Sequence, residues 1–550
     1  MKIKKLFTFF LIIINIILLS GCGISTPNGG GEIKKLLPRP YISLNDDVVK
    51  WSSVQGATSY EIFINDNFYC ETTETQWSID LSANNFPDGK YQITVKAIAE
   101  DTICNSPFSI PLIYTLYNNF KVNELNVIAF NDTHGAIFTN SKYSGMDKVA
   151  TICNENYDQK TLLKIANGDM FQGTYLSNET KGRAMVEVLN EMSIDAFVIG
   201  NHEFDWGIEE IARFKDGDLT NGEADFPFLA ANILKKSTSE RLNWTEPYII
   251  KKIGNLTIGI IGLIGKLESS INTEYVDDYV FTDPLENTKK YAYELRNIKD
   301  CDIVIASIHD YEESYNSAIA ALKGNYKIDA LITGHTHQKI NTYLGNDSIK
   351  LPVIQSNTKN YSIGNINFLI DDTAKIASTP TITHLYPSDY DSDEKIMKIY
   401  DKYQSKIFEG EVVINNLNNK MSKSEIAKIV LTQVKEDLPV DIAIINTGAI
   451  RTTFNKGPLL IEDIYEAMPF DNEFYIIRMP GSALKNFITY AGDYLATSQL
   501  SNVMNNRIYN VGIIDYVYNK VYYNGFFTSY EKHNSGVYLK EVALKAFKEK

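Results

Sequence analysis

The stretch IGNHEFDWG, Ile199 to Gly207, sets an amide, an imidazole and two carboxylates (Asn201, His202, Glu203 and Asp205) side by side directly after an apolar run. Four other short polar clusters share that position. LNVIAF leads into NDTHG with Asp132 and His134, TLLKIA into NGD with Asp169, DIVIASI into HD with His309, and DALIT into GHTH with His335 and His337. The chain has 7 histidines, and five of them fall in these clusters. A lone histidine is usually a structural residue with satisfied hydrogen bonds, but recurrence at matching positions argues for a shared site. Imidazoles and carboxylates without thiolates suit Zn, Mn, Fe or Co rather than a sulfur site or a calcium cage. In Asp132-x-His134 and His335-x-His337 the two-residue spacing would, on extended backbone, project each pair to one side.

Elements of a particular kind must position these groups. The apolar runs are continuous and β-rich, as expected of strands covered on both faces in an α/β sheet. Loops at the carboxyl ends of such strands converge on one edge, where sites in α/β sheets form. Helical candidates lie between the runs, for example GRAMVEVLNEM and PLENTKKYAYELRNI. A charged stretch, YPSDYDSDEKIMKIYDKYQSKIFEGE, then separates this unit from a second α/β segment starting near Val412. There, DIAIINTGAIRTTF places Asn446, Gly448 and Arg451 after another apolar run, and MPFDN carries Phe470.

The order D-x-H, GD, GNHE, H, GHTH closely resembles the calcineurin-like binuclear metallophosphoesterases. GNHEFDWG, together with N-x-G-x-x-R and P-F further on, narrows the resemblance to the 5′-nucleotidase/UDP-sugar hydrolase family. It implies that Asp132, His134 and His337 hold one divalent ion, that Asn201, His309 and His335 hold a second, and that Asp169 bridges them. Two divalent ions offset by two aspartates leave about +2 for a phosphate, and such a pair can activate water and hold phosphoryl oxygens. His202 would then face the phosphoryl group as a cationic stabiliser or proton donor, with Asp205 orienting its imidazole, while Glu203 would be structural. In the second lobe Arg451 would bind phosphate or carboxylate oxygens, Asn446 and Gly448 would meet the substrate, and Phe470 would stack on a base, with Tyr516 as a second aromatic.

Two departures from the family pattern stand out. The fourth segment, usually S-H-x-G, reads SIHDYEES, which puts Asp310 and Tyr311 beside His309. The Gly-Gly-Asp-Gly element that contacts ribose is absent from YNVGIIDYVYNKVYYNG. The implied reaction is hydrolysis of 5′-nucleotides to nucleosides and phosphate. UDP-sugar or 2′,3′-cyclic-nucleotide cleavage stays open, as does a surface-binding lipoprotein with a relic phosphatase fold.

At 550 residues the chain is long enough for several domains. Its net charge of −15 argues against coating a nucleic-acid polymer, so the expected partner is a small phosphate ester such as a nucleotide. The N-terminus carries lysines, an apolar run from Leu6 to Leu19, and Leu19-Ser20-Gly21-Cys22, which resembles a bacterial lipoprotein signal with Cys22 lipidated. Export to the outer face of the cytoplasmic membrane or the cell surface would follow. Cys70, Cys104, Cys153 and Cys301 show no CxxC spacing, so no thiolate cluster is indicated. Between Tyr41 and Tyr117, alternating runs such as SYEIFIND and KYQITVKAIA, with a turn at Asn65-Asp66, look like a fibronectin type III module with Trp51 in its core.

The expected organisation is multidomain. A signal (1–21) and a tether (22–40) precede an all-β immunoglobulin-like sandwich (41–118). An α/β four-layer β-sandwich metallophosphoesterase domain (123–372) and a linker with helix (373–409) follow. An α/β C-terminal substrate-binding domain (410–550) ends the chain.

Overall fold

The computed structural model describes residues 36–548, except 46–47, 80–85, 87–88, 100–103, 117–119, 219, 499–502 and 521. The signal-like segment and Cys22 therefore lie outside the described residues.

Two six-stranded sheets dominate residues 124–385. The first runs in the order Phe228–Leu229, Ala196–Val198, Leu162–Asn167, Glu124–Phe130, Ile363–Leu369, Thr381–Leu385. The second runs Tyr248–Ile253, Leu256–Ile264, Ile303–His309, Ala330–Ile332, Leu351–Gln355, Ile340–Leu344. Side chains alternate across each strand, so a strand buried on both faces feeds two cores. In Glu124–Phe130, Leu125, Val127 and Ala129 pack between the sheets with Ile258, Ile260, Ile303 and Ile305. Ile128 and Phe130 instead meet the helices outside, together with Val149, Met185 and Leu189. The far face of the second sheet is covered by Pro284–Asn297 and Glu313–Ala320 through Tyr291, Leu295 and Ile319. The result is helix, sheet, sheet, helix. The continuous apolar runs are explained by this double coverage.

The expected helices form at Arg183–Glu191 and Pro284–Asn297, the latter capped by Asp283, whose carboxylate accepts the Glu286 N–H. The 373–409 segment is less of a linker than its charge suggests. Thr381–Leu385 is an edge strand of the first sheet, and Ile382 on it is buried. Helix Glu394–Gly410 lays Ile396, Tyr400 and Tyr403 on the core outside that sheet, and Tyr403 and Lys402 both bond Glu187.

A third, five-stranded sheet forms the second lobe in the order Leu495–Thr497, Ile442–Asn446, Ile508–Ile514, Glu473–Pro480, Lys532–Tyr538. Ile442–Asn446 and Ile508–Ile514 run parallel while their other neighbours are antiparallel. The carboxyl ends of the parallel pair and the first residues of Leu495–Thr497 and Glu473–Pro480 therefore share one edge, which carries Asn446, Phe470, Tyr494 and Tyr516.

Toward the N-terminus a three-stranded and a four-stranded sheet enclose Val49, Trp51, Tyr60, Ile62, Ile93 and Val95. The Asn65-Asp66 turn has φ of 47° and 62°, the double positive φ that a tight hairpin requires. Trp51 packs on Tyr60 with ring centroids 5.5 Å apart. Cys70, half-buried, and Cys153, buried, are both free thiols.

Candidate metal centre and substrate cleft

The site begins where parallel strands end. In the first sheet Glu124–Phe130, Leu162–Asn167 and Ala196–Val198 are mutually parallel and deliver Asp132 and His134, then Asp169, then Asn201 and His202. In the second, Ile303–His309 and Ala330–Ile332 deliver His309, His335 and His337. The sheets stack with these ends at one edge. All five clusters read from the sequence meet there.

Two groups of three emerge, each with its ligand atoms within 4.8 Å of one another: Asp132 with His134 and His337, and Asp169 with His309 and His335. A third grouping joins His134, Asp169 and His202. His134 Nε2 lies 3.0 Å from His337 Nε2, and His309 Nε2 lies 3.1 Å from Asp169 Oδ2. Asn201 stands directly before His202, whose backbone N–H donates to Asp169 Oδ1 at 2.8 Å.

The backbone carries strain at the same place. Asp132, His134, Asp169, His335 and His337 have φ of 50°, 48°, 55°, 71° and 58°. Left-handed backbone at non-glycine residues is rare and clusters at functional sites. The extended backbone expected for the two x-spaced pairs is thus corrected: both pairs sit in left-handed turns, and convergence comes from turn geometry rather than from a pleat.

Hydrogen bonds fix how the side chains face. His134 Nδ1 donates to the Gln172 carbonyl at 3.0 Å and His309 Nδ1 to the Asn167 carbonyl at 2.7 Å, which turns each Nε2 inward. Glu203 is fully buried and accepts the N–H groups of Gly200, Asp169 and Met170 at 2.8 to 2.9 Å. Each such bond to a carboxylate contributes about 1.5–3 kcal/mol, and together they tie the GD loop to the GNHE loop. Gly168 has φ +80°, and a Cβ there would overlap His309 Nδ1.

Several buried polar atoms are left without hydrogen-bond partners: Asp132 Oδ1, Asp169 Oδ2, Asn201 Oδ1 and His309 Nε2. Orphaned buried groups are costly and call for an ion or water. Three are acceptor oxygens and the fourth is a ring nitrogen, a set that suits a cation. Electrostatics point the same way. Burial, opposed by His309 and reinforced by Asp169, raises the Asp132 carboxyl to about 7. Against burial, Asp169 and Asp132 raise His309 to about 10, a demand for positive charge that a cation at Nε2 would equally meet. Burial and neighbouring cations push His335 and His337 down to about 4, and His134 is held well below its ordinary value, so these three rings are neutral donors. His202 behaves oppositely: although burial works against its charge, Asp205 and Asp169 raise it to about 9. Its Nδ1 bonds Asp205 Oδ2 at 2.7 Å.

A cavity of about 380 Å³ opens from this cluster toward the second lobe. His202, His335 and His337 line one side, and Asn446, Arg451 and Phe470 line the other. Phe470 lies nearly parallel to His202, 25° between planes and 5.8 Å between centroids, and the Arg451 guanidinium covers the Phe470 ring at 5.7 Å. Asn446 Oδ1 is buried and unpartnered, and Gly448 and Tyr516 also face the cavity. Asp310 folds over Gly265 and accepts the Tyr311 N–H at 2.7 Å, and neither residue is part of the cavity wall. Sequence reasoning missed Asn272, Tyr494, Asp515 and Lys520 in the wall. They lie in no cluster that follows a hydrophobic run with a ligand-type residue, apart from Asp515, which directly follows IYNVGII.

Residues 125–339 match the calcineurin-like phosphoesterase family, and residues 407–525 match the 5′-nucleotidase C-terminal domain. This chain belongs to the 5′-nucleotidase family of calcineurin-like metallophosphoesterases. It is a phosphoesterase hydrolase, and the family works with two divalent cations, which the donor set just described fits. A snake venom 5′-nucleotidase from Crotalus adamanteus is 26% identical over 419 residues, covering 66% of this chain and 69% of the relative. Endonuclease YhcR of Bacillus subtilis is 25% identical over 400 residues, covering 66% of this chain, and the match spans only 32% of that longer protein. The crystal structure of a 5′-nucleotidase precursor from Thermus thermophilus shares the fold with TM-score 0.64 at 20% identity, over 78% of this chain and 96% of that one.

Proposed function

We propose that this 5′-nucleotidase family member hydrolyses 5′-nucleotides to nucleosides and phosphate outside the cell. The observation that carries the reading is the set of orphaned inward-facing atoms on Asp132, Asp169, Asn201 and His309, opening into a cleft walled by Arg451 and Phe470. In this assignment Asp132, His134 and His337 hold one cation, Asn201, His309 and His335 the other, and Asp169 lies between them. Bound there, two divalent ions of the Zn, Mn, Fe or Co type would supply Lewis acidity for phosphoryl oxygens and for the attacking water.

The chain's own residues do the rest. Asp205 holds the His202 imidazole by Nδ1, so the Nε2 proton is free to move to the leaving ester oxygen as the P–O bond breaks. Arg451 offers a planar fork to phosphate oxygens, Asn446 and Gly448 meet the substrate, and Phe470 and Tyr516 supply aromatic surface for a base. The complete donor set argues against a relic fold that only binds.

The remaining assignments belong to the same proposal. The N-terminal sheets form a fibronectin type III-like spacer, Cys22 carries lipid, and the domains run 41–118, 123–372 with the edge strand Thr381–Leu385 added, and 410–550, the rest of 373–409 lying between the last two. The test is turnover of AMP, UDP-glucose and a 2′,3′-cyclic nucleotide by the soluble protein with Mn²⁺ or Zn²⁺ and with a chelator. AMP should be preferred, and its turnover should vanish on chelation and return with metal. Preference for UDP-glucose or the cyclic ester would redirect the substrate, and chelator-resistant turnover would remove the metal assignment.

A further inference from the structure

The cleft holds a second cation besides Arg451. Lys520, half-buried and in the cavity wall, donates to the hydroxyls of Tyr494 at 2.9 Å and Tyr516 at 3.1 Å, and its ammonium lies 4.8 and 4.9 Å from the two ring centroids. Two neutral hydroxyls use two of the three ammonium N–H bonds, which leaves one donor for a further acceptor. Among the described residues no carboxylate pairs with Lys520. The ammonium and the two rings stand on the second-lobe edge. Arg451 is the cation whose field bears on His134, His202 and His337. The cleft is thus cationic at the reacting end and again on the second-lobe edge between Tyr494 and Tyr516.

What meets Lys520 is constrained by its neighbours. Tyr494 and Tyr516 present flat aromatic surface, suited to a planar heterocycle. Asp515 sits in the same wall, held by the amides of Asn472 at 3.0 Å and Asn272 at 3.3 Å, and its carboxylate disfavours an anion there. A neutral ring with an exocyclic carbonyl satisfies both conditions. An exocyclic amine would aim its own N–H bonds at an ammonium, leaving both donors unpaired.

We infer that Lys520, framed by Tyr494 and Tyr516, is a specificity-determining residue that selects nucleotides whose base carries an oxygen at purine C6 or pyrimidine C4 over those carrying an amine there. The inference rests on the nucleotide reading above and deepens it. Two substrate pairs pose the choice: IMP against AMP, and UMP against CMP, which differ in the oxo or amino group at that position and in the proton on the ring nitrogen beside it. In the full-length protein with Mn²⁺, kcat/KM should favour the oxo member of both pairs by about tenfold or more, the scale of one unpaired polar contact. Lys520→Met should bring both ratios toward one, chiefly through KM, whereas Lys520→Arg, which keeps a donor cation, should retain the preference. p-Nitrophenyl phosphate, which has no base, reports the integrity of the reaction centre in each variant. A wild-type protein without oxo preference overturns the inference, as does a ratio unmoved in Lys520→Met. If p-nitrophenyl phosphate is turned over and none of the four nucleotides is, the nucleotide reading falls and this inference with it. Nucleotide turnover with indifferent ratios removes only the role of Lys520.

Discussion

His202 and Asp169 stand 4.0 Å apart at their nearest side-chain polar atoms, yet their environments separate their roles. Asp169 keeps a buried oxygen without a partner, the state of a ligand, whereas His202 has one ring nitrogen committed to Asp205 and the other facing the cleft. His202→Ala should therefore lower kcat by about a hundredfold or more, the usual range for a lost proton donor, and leave bound metal near two per chain. Asp169→Asn should lose metal and activity together. Elemental analysis of both variants beside their kinetics separates the cases, and equal metal loss would move His202 to ligation. At this scale the sequence was informative about ligand-type residues, because histidine, aspartate and asparagine declare their chemistry wherever they stand. It was silent about Gln172 and Asn167, which hold His134 and His309 with backbone carbonyls that any residue type could offer.

At the scale of elements, the strand ends bring the clusters together and the loops after them set the angles. Gly168 is a tight point in these loops, since its φ of +80° is left-handed and a Cβ would overlap His309. Gly168→Ala should lower stability by more than about 1 kcal/mol, from the φ strain alone, and weaken metal binding further by displacing the His309 ring. Thermal unfolding with and without Zn²⁺ reads both effects. A variant with the wild-type melting temperature and metal response would mean the loop accommodates the methyl group. The strands were legible because double coverage by sheet and helix demands unbroken apolar runs, a pattern that needs no knowledge of partners. The left-handed turns were not, because they are held by contacts between loops distant in sequence, such as Glu203 on the Asp169 N–H, the Asp169 carbonyl on the His134 N–H and Asp132 on the His335 N–H. The edge strand Thr381–Leu385 was hidden for a related reason: only Ile382 on it is fully buried, too short an apolar signal to stand out.

The two lobes meet through charge. Lys142 of the first lobe reaches Glu462, Asp463 and Glu466 of the second at 2.6 to 3.2 Å, and Lys359 reaches Glu466 at 3.0 Å. Lys181 pairs with Asp471, next to Phe470, at 2.6 Å. Lys142→Ala would leave three carboxylates crowded without their shared cation. About 1–2 kcal/mol of lost closure, in the range of partly desolvated networks, corresponds to roughly a tenfold rise in KM. The rise should shrink when Glu462 and Glu466 are also neutralised to glutamine, and steady-state kinetics of the single and combined variants would detect it. An unchanged KM would mean the network does not help form the cleft.

Cys153 bears on the history of the whole molecule rather than on its chemistry. It is wholly enclosed, and burial lifts its thiol to about 12, so it resists alkylation and oxidation while the native packing persists. With Cys22, Cys70, Cys104 and Cys301 replaced by serine, a thiol-reactive dye would stay dark on the intact protein. It would light up as the helix Met146–Asn156 opens, giving a built-in clock for unfolding.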